Sequence, residues 1–177
     1  MTGSTSTRSR RLTDWAINLA LILAIVFGVQ WWQGRPLATG AAPPLAGWTL
    51  DGQWLDLGHI NLQGAPILVH FWATWCPICR LGNGGIDAIA RDHRVVTVAM
   101  QSGDATEVGR FMATEGLDFP VVMDPNGEIA RRWGVVGVPA TFVLDANGQI
   151  AYATRGASTE TGLRLRLWFA REAGTNP

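Results

Sequence analysis

Cysteine is scarce in this chain: of 177 residues only Cys76 and Cys79 are cysteine, separated by two positions. A single pair excludes the disulfide framework that staples small secreted domains, and no further Cys or His cluster completes a zinc site. Excess charge is lacking as well. The 14 basic and 14 acidic side chains cancel, which argues against nucleic acid or a strongly charged partner surface. No internal repeat is apparent. The length accommodates one domain of roughly 130 residues plus an N-terminal segment.

Charge is missing altogether from Trp15 to Gly34, and Trp15 to Trp32 is mostly Ala, Leu, Ile, Val and Phe. Eighteen helical residues at about 1.5 Å each reach about 27 Å, close to the thickness of a bilayer's hydrocarbon core. Residues 15–34 are therefore expected to be a transmembrane anchor. Arg8, Arg10 and Arg11 precede it and Arg35 follows it, so the positive-inside bias leaves 1–14 as a cytoplasmic tail. The rest of the chain then faces the periplasm or cell exterior. Trp15, Trp31 and Trp32 sit at the two ends, where amphipathic rings favour the headgroup region. The rival reading is a cleaved signal peptide with small residues at Ala38, Gly40 and Ala42, although the apolar run exceeds the usual signal core of about 7 to 15 residues. Residues 35–44, rich in Gly, Ala and Pro, read as a linker.

The domain is expected over 45–173. Trp48 to Leu57 holds two short alternating runs around Asp51-Gly52, a hairpin signal. The apolar run from Pro66 to Trp72 reads as a buried strand leading to Cys76. If the cysteines open a helix, unpaired N–H groups and the helix dipole lower the Cys76 thiol pKa below the free value of about 8.5, making Cys76 the candidate nucleophile. Cys79, one turn deeper, is the candidate resolving thiol. Pro77 suits the first turn, because it has no N–H to leave unpaired. Gly82, Gly84 and Gly85 each cost that helix about 1 kcal/mol relative to Ala, which predicts a kinked or locally mobile helix before the pattern resumes at Ile86. Further strands are expected at 94–100, 119–123, 141–144 and 149–154. Helices are expected at 106–116, with Val108, Phe111 and Met112 inward, at 128–133, and at 158–172 with Ser158 as cap. This order supports an α/β domain whose mixed sheet is flanked by helices on both faces.

The stretch Phe71-Trp72-Ala73-Thr74-Trp75-Cys76-Pro77-Ile78-Cys79 resembles the active-site segment of the thioredoxin superfamily, and of its membrane-anchored TlpA/DsbE-like branch. Within that branch it is most similar to ScsD-type proteins of the suppressor-of-copper-sensitivity group. The resemblance covers about Leu45 to Ala173 and implies a thioredoxin-like fold with an N-terminal β-hairpin extension. Gly137 to Phe142 resembles the superfamily's cis-proline loop, which implies a cis peptide before Pro139 facing the cysteines. It also implies a partner-binding surface of Trp75, Pro77, Ile78, Val138 and Pro139. The implied activity is thiol:disulfide exchange with exported cysteine-containing proteins, without a dissociable cofactor. Electrons for a reductant would come from a transmembrane thiol reductase of the DsbD or ScsB kind.

Two departures from the family pattern carry information. Where thioredoxins usually hold a buried acid, two positions before Trp72, this chain has His70. It is either a core residue with a satisfied ring or a general base for Cys79. Cytochrome-c-maturation members typically carry a Glu shortly after the second cysteine, whereas here Arg80, Leu81 and Gly82 follow. A dedicated haem-pathway role is not expected. An oxidant that inserts disulfides would use the same residues, and a copper-binding module would use the same thiolates. With no third Cys or Met in the motif, no metal site is expected.

Overall fold

The computed structural model describes residues 37–59 and 65–173, together with Asn18. Apart from Asn18, the anchor expected over 15–34 lies outside the described residues. Among the described residues no helix is long and apolar enough to cross a membrane.

The strand expected before the cysteines is β4, Ile67–Trp72, and all six of its residues are buried. A strand with no polar face must be covered on both sides, and β4 is. Leu68 and Trp72 point into one core with Ile86, Phe111, Leu163 and Leu167. Ile67, Val69 and Phe71 point into another with Leu45, Trp133 and Phe142. The remaining elements in chain order are β1 (Gly40–Ala41), β2 (Ala46–Trp48), β3 (Trp54–Asp56), α1 (Pro77–Ala90), β5 (Arg94–Met100), α2 (Ala105–Glu115), β6 (Val121–Asp124), α3 (Glu128–Arg132), β7 (Ala140–Leu144), β8 (Gln149–Arg155) and α4 (Glu160–Ala173). The main sheet has the order β1-β8-β7-β4-β5-β6. β5 runs parallel to both β4 and β6, while β7 is antiparallel to β4 and β8 antiparallel to β7. Helices α1, α2 and α4 supply the first core and α3 the second, as a mixed sheet with helices on both faces requires.

β2 and β3 form the expected hairpin, with Trp48 opposite Trp54 and their rings edge to face at 5.3 Å. It joins the edge of the main sheet through Leu50 N–H, which donates to the Val121 carbonyl at 2.9 Å.

Three sequence expectations need correction. The linker assigned to 35–44 is bound to the domain in its second half. Gly40 and Ala41 pair with Ile150 and Gln149 as the sixth strand, and Ala38 N–H donates to the Trp133 carbonyl at 3.1 Å. Small residues that suit a linker also suit an edge strand, and local composition does not separate the two. The helix expected to kink at its glycines is an unbroken α1 of 14 residues. Burial of Cys79, Ile86 and Ile89 along one face outweighs the glycine cost, and at Gly85 a Cβ would already touch Glu160 at 3.4 Å. The cap of α4 is Thr159, whose Oγ1 accepts from Gly162 N–H at 3.2 Å. Ser158 faces elsewhere and its hydroxyl is buried. By contrast, Val108, Phe111 and Met112 are the buried residues of α2, as the periodicity predicts.

The continuous α1 generates a test. Gly84 is exposed, and a Cβ there meets nothing within 4 Å. Gly84→Ala is expected to raise the unfolding free energy by about 1 kcal/mol in urea titrations; a kinked helix would gain nothing.

Candidate functional site

The site is assembled by strand ends. β4 delivers the chain to Cys76, and the antiparallel pairing of β7 places Ala140 opposite Phe71, so the loop just before β7 lies beside the end of β4. The peptide between Val138 and Pro139 in that loop is cis. Cys76 Sγ lies 3.7 Å from the Val138 carbonyl oxygen. Cys76, Val138 and Pro139, expected to meet, are brought together.

Cys76 is the N-cap of α1, with extended backbone, and Pro77 follows in the first turn. Its Sγ accepts the Cys79 backbone N–H at 3.1 Å, one of the donors that every helix start leaves free. In place of the serine or aspartate usual at an N-cap, a sulfur holds the position, and negative charge on it is stabilised there. Cys76 and Cys79 form a disulfide with Cα atoms 5.3 Å apart. Both residues are buried, Cys79 more completely.

Around this buried pair the surface is apolar. Trp75, Ile78, Leu81 and Val136 are all more than half exposed. Trp75 is nevertheless fixed, because its indole N–H donates to the Gln101 carbonyl at 2.9 Å. Gln101 has φ +48, a left-handed conformation that costs a residue with a Cβ about 1–2 kcal/mol. Next to it, Ser102 Oγ accepts from Thr74 N–H at 3.1 Å. The turn after β5 therefore holds the Thr74-Trp75 segment in place, a function not read from the sequence. Only the parallel pairing of β5 with β4 brings the two turns together.

Behind the disulfide lies His70. Its cross-strand partner is Thr141, and His70 Nδ1 and Thr141 Oγ1 are 2.9 Å apart. Burial pushes the imidazole pKa down to about 4, with the nearby Asn83 amide acting the other way, so the ring is neutral at physiological pH. His70 Nε2 meets no hydrogen-bond partner among the described residues. His70, Cys79, Thr141, Ser158, Ile86 and Leu163 line a cavity of about 10 Å³, near the minimum that one water molecule occupies. Of the ring's two nitrogens, Nδ1 meets Thr141 Oγ1 and Nε2 faces the cavity side of the ring's surroundings, where Asn83 is also near. Thr141 and Asn83 were not singled out in the sequence; Asn83 stands four residues after Cys79, a helical spacing that would have flagged it.

Among the described residues no cluster of three or more His, Cys, Asp or Glu has the arrangement of a metal site. The two cysteines and the neutral histidine are the groups whose chemistry the arrangement offers. They suit reversible two-electron exchange between a disulfide and a dithiol.

Comparison with known proteins agrees with this geometry. The Redoxin family profile matches residues 36–165. A thioredoxin-like protein of Haemophilus influenzae is 30% identical over 166 residues, covering 93% of this chain and 98% of that one. The thiol:disulfide interchange protein DsbE of Allochromatium vinosum is 32% identical over 152 residues, covering 83% and 84%. CycY of Rhizobium leguminosarum, also a thiol:disulfide interchange protein, is 34% identical over 113 residues, covering 63% and 61%. Among solved structures, a thioredoxin-family thiol:disulfide interchange protein from Chlorobium tepidum superposes with a TM-score of 0.64 at 26% identity, covering 77% of this chain and 99% of its own. With a buried cysteine pair at a helix start beside a cis-proline loop, and with these relatives, the chain belongs to the Redoxin family and is a TlpA/DsbE-like thiol:disulfide oxidoreductase of the thioredoxin superfamily.

Proposed function

We propose that this oxidoreductase is a reductant, held in the inner membrane by residues 15–34, that acts outside the cytoplasm on exported proteins with cysteine pairs. The observation that carries the reading is the position of Cys76. Its sulfur caps α1, accepts the Cys79 N–H at 3.1 Å and lies 3.7 Å from the Val138 carbonyl. In the reduced protein Cys76 is the nucleophile. Its thiolate attacks a partner disulfide, forming a Cys76–partner bond and expelling the partner's other sulfur as a thiolate. Cys79 resolves this mixed disulfide. Its thiolate attacks Cys76 Sγ, the Cys76–Cys79 bond forms, and the partner leaves fully reduced with both electrons. The partner's cysteine-bearing strand is received by the Val138–Pro139 loop, and Trp75, Pro77 and Ile78 offer it apolar contact area.

His70 is the general base for Cys79. A neutral ring with Nε2 unpaired beside the Cys79 cavity is in the protonation state that accepts a thiol proton. Electrons return through a transmembrane thiol reductase of the DsbD or ScsB kind, since an exported reductant has no thiol buffer to recharge it. The active-site segment further supports an ScsD-type protein serving copper-stress defence.

Direction is decided by potential. Equilibrated with a thiol buffer, the full-length chain in detergent is expected to titrate near the roughly −270 mV of thioredoxin; a value near the roughly −120 mV of DsbA would make it an inserter of disulfides. A chain that binds Cu(I) and forms no reversible disulfide would be a copper module.

Cys79→Ser is expected to accumulate mixed disulfides on non-reducing gels, and Cys76→Ser to form none. His70→Ala is expected to slow their release by about 100-fold or more while Cys76 alkylation stays near wild type; an unchanged release rate removes His70 from the mechanism.

Burial of His70 also carries a pH signature. Its pKa falls from 6.5 to about 4 on folding, so below pH 6.5 the unfolded chain binds a proton that the folded one refuses. Stability is full above 6.5 and falls as pH drops toward 4, by on the order of 3 kcal/mol. Denaturant midpoints measured between pH 7 and 4 are expected to fall less steeply in His70→Leu than in the native protein.

A further inference from the structure

Three side chains near Cys79 carry buried polar atoms that meet no hydrogen-bond partner among the described residues, and the Asn83 amide lies close enough to His70 to act on its ring. Asn83 is 1% exposed, and both its Nδ2 and its Oδ1 lack a hydrogen-bond partner among the described residues. Ser158 Oγ and His70 Nε2 are likewise buried and unpartnered. Leaving one such group unsatisfied costs about 1–3 kcal/mol.

Their positions converge on the second cysteine. Asn83 follows Cys79 by four residues on α1, and Cβ vectors in a helix tilt toward its N-terminus, so the Asn83 amide leans back over the Cys79 turn. Ser158 comes from the loop ahead of α4 and lines the same small cavity as Cys79 and His70. The amide nitrogen and the hydroxyl are donors. While the disulfide is closed, Cys79 sulfur is a weak acceptor; once it opens, that sulfur becomes a thiolate, the strongest acceptor this pocket meets.

We propose that Asn83 and Ser158 form a receiving pocket for the Cys79 thiolate, donating to it in the reduced protein and at the moment it attacks the mixed disulfide. The inference rests on Cys79 being the resolving thiol. Cys76 draws its stabilisation from the helix start and the Cys79 N–H; Cys79, inside the first turn and buried, has no such source. Two side-chain donors substitute for it. In the resolving step the Cys79 proton passes to His70 Nε2 and the thiolate is held by Asn83 Nδ2–H and Ser158 Oγ–H. It then displaces the partner sulfur from Cys76 Sγ, and the electron pair of the broken bond leaves with the partner thiolate.

The test uses the full-length chain in detergent with Cys76→Ser, so that Cys79 is the single thiol and its ionisation is followed by thiolate absorbance against pH. Asn83→Leu and Ser158→Ala are each expected to cut the Cys79 thiolate fraction at a given pH by about tenfold, the size of one lost charge-assisted bond. Asn83→Asp, which sets a carboxylate beside the thiolate, is expected to cut it further, and Ser158→Thr, which keeps the hydroxyl, to restore it. In the native-cysteine background, the same Asn83→Leu and Ser158→Ala changes should slow mixed-disulfide release while Cys76 alkylation stays unchanged. A Cys79 titration unmoved in both Asn83→Leu and Ser158→Ala overturns the pocket. If Asn83→Leu fails to fold, the titration of Ser158→Ala, at a half-buried position, decides alone. Partner release at the normal rate in Cys79→Ser would instead overturn the resolving role of Cys79, without touching the titration result.

Discussion

Everything at the redox site depends on β4 being held between a parallel and an antiparallel neighbour. Its parallel pairing with β5 sets the turn at Gln101 and Ser102 under the Thr74-Trp75 segment. Its antiparallel pairing with β7 sets Thr141 against His70 and brings the cis-proline loop to Cys76. One strand with six buried residues thus positions the Gln101-Ser102 turn, Thr141 and the cis-proline loop. A slip of one residue in either ladder would turn His70 to the opposite face and dissolve the arrangement.

The two sides of the disulfide differ in character. In front, Trp75, Ile78, Leu81 and Val136 leave apolar area exposed, which suits transient contact with many unrelated segments better than a charged surface would. Behind, the fold encloses His70, Asn83 and Ser158 with unmet hydrogen-bonding capacity. Burial there lowers the basicity of His70 and keeps its ring neutral. The combination sets the disulfide between exposed apolar side chains and a cluster of buried polar atoms.

The glycines of α1 and the small residues ahead of β2 illustrate how tertiary context overrides local preference. A helix with Gly82, Gly84 and Gly85 would be weak alone, yet docking Ile86 and Ile89 onto the sheet, with α4 closing over Gly85, keeps it continuous. Residues 38–42 have the composition of a spacer. Gly40 and Ala41 within them form an edge strand because β8 offers an open ladder.

The sequence by itself determined the order of elements from the β2–β3 hairpin onward, the buried strand before the cysteines, the helix start at Cys76 and the inward face of α2. All of these are local: they depend on residues within a turn or on hydrophobic period, and such signals survive without knowledge of neighbours. Tertiary structure alone decided that Thr141 meets His70, that Gln101 anchors Trp75, that Ser158 shares a cavity with Cys79 while Thr159 caps the helix, and that the glycines are tolerated. These depend on strand register and on contacts between residues far apart in the chain, such as Arg164 with the Ala88 carbonyl, 76 positions away. Register is set by which packing of whole faces excludes most water, a property of the assembled sheet and helices that no single stretch of chain encodes.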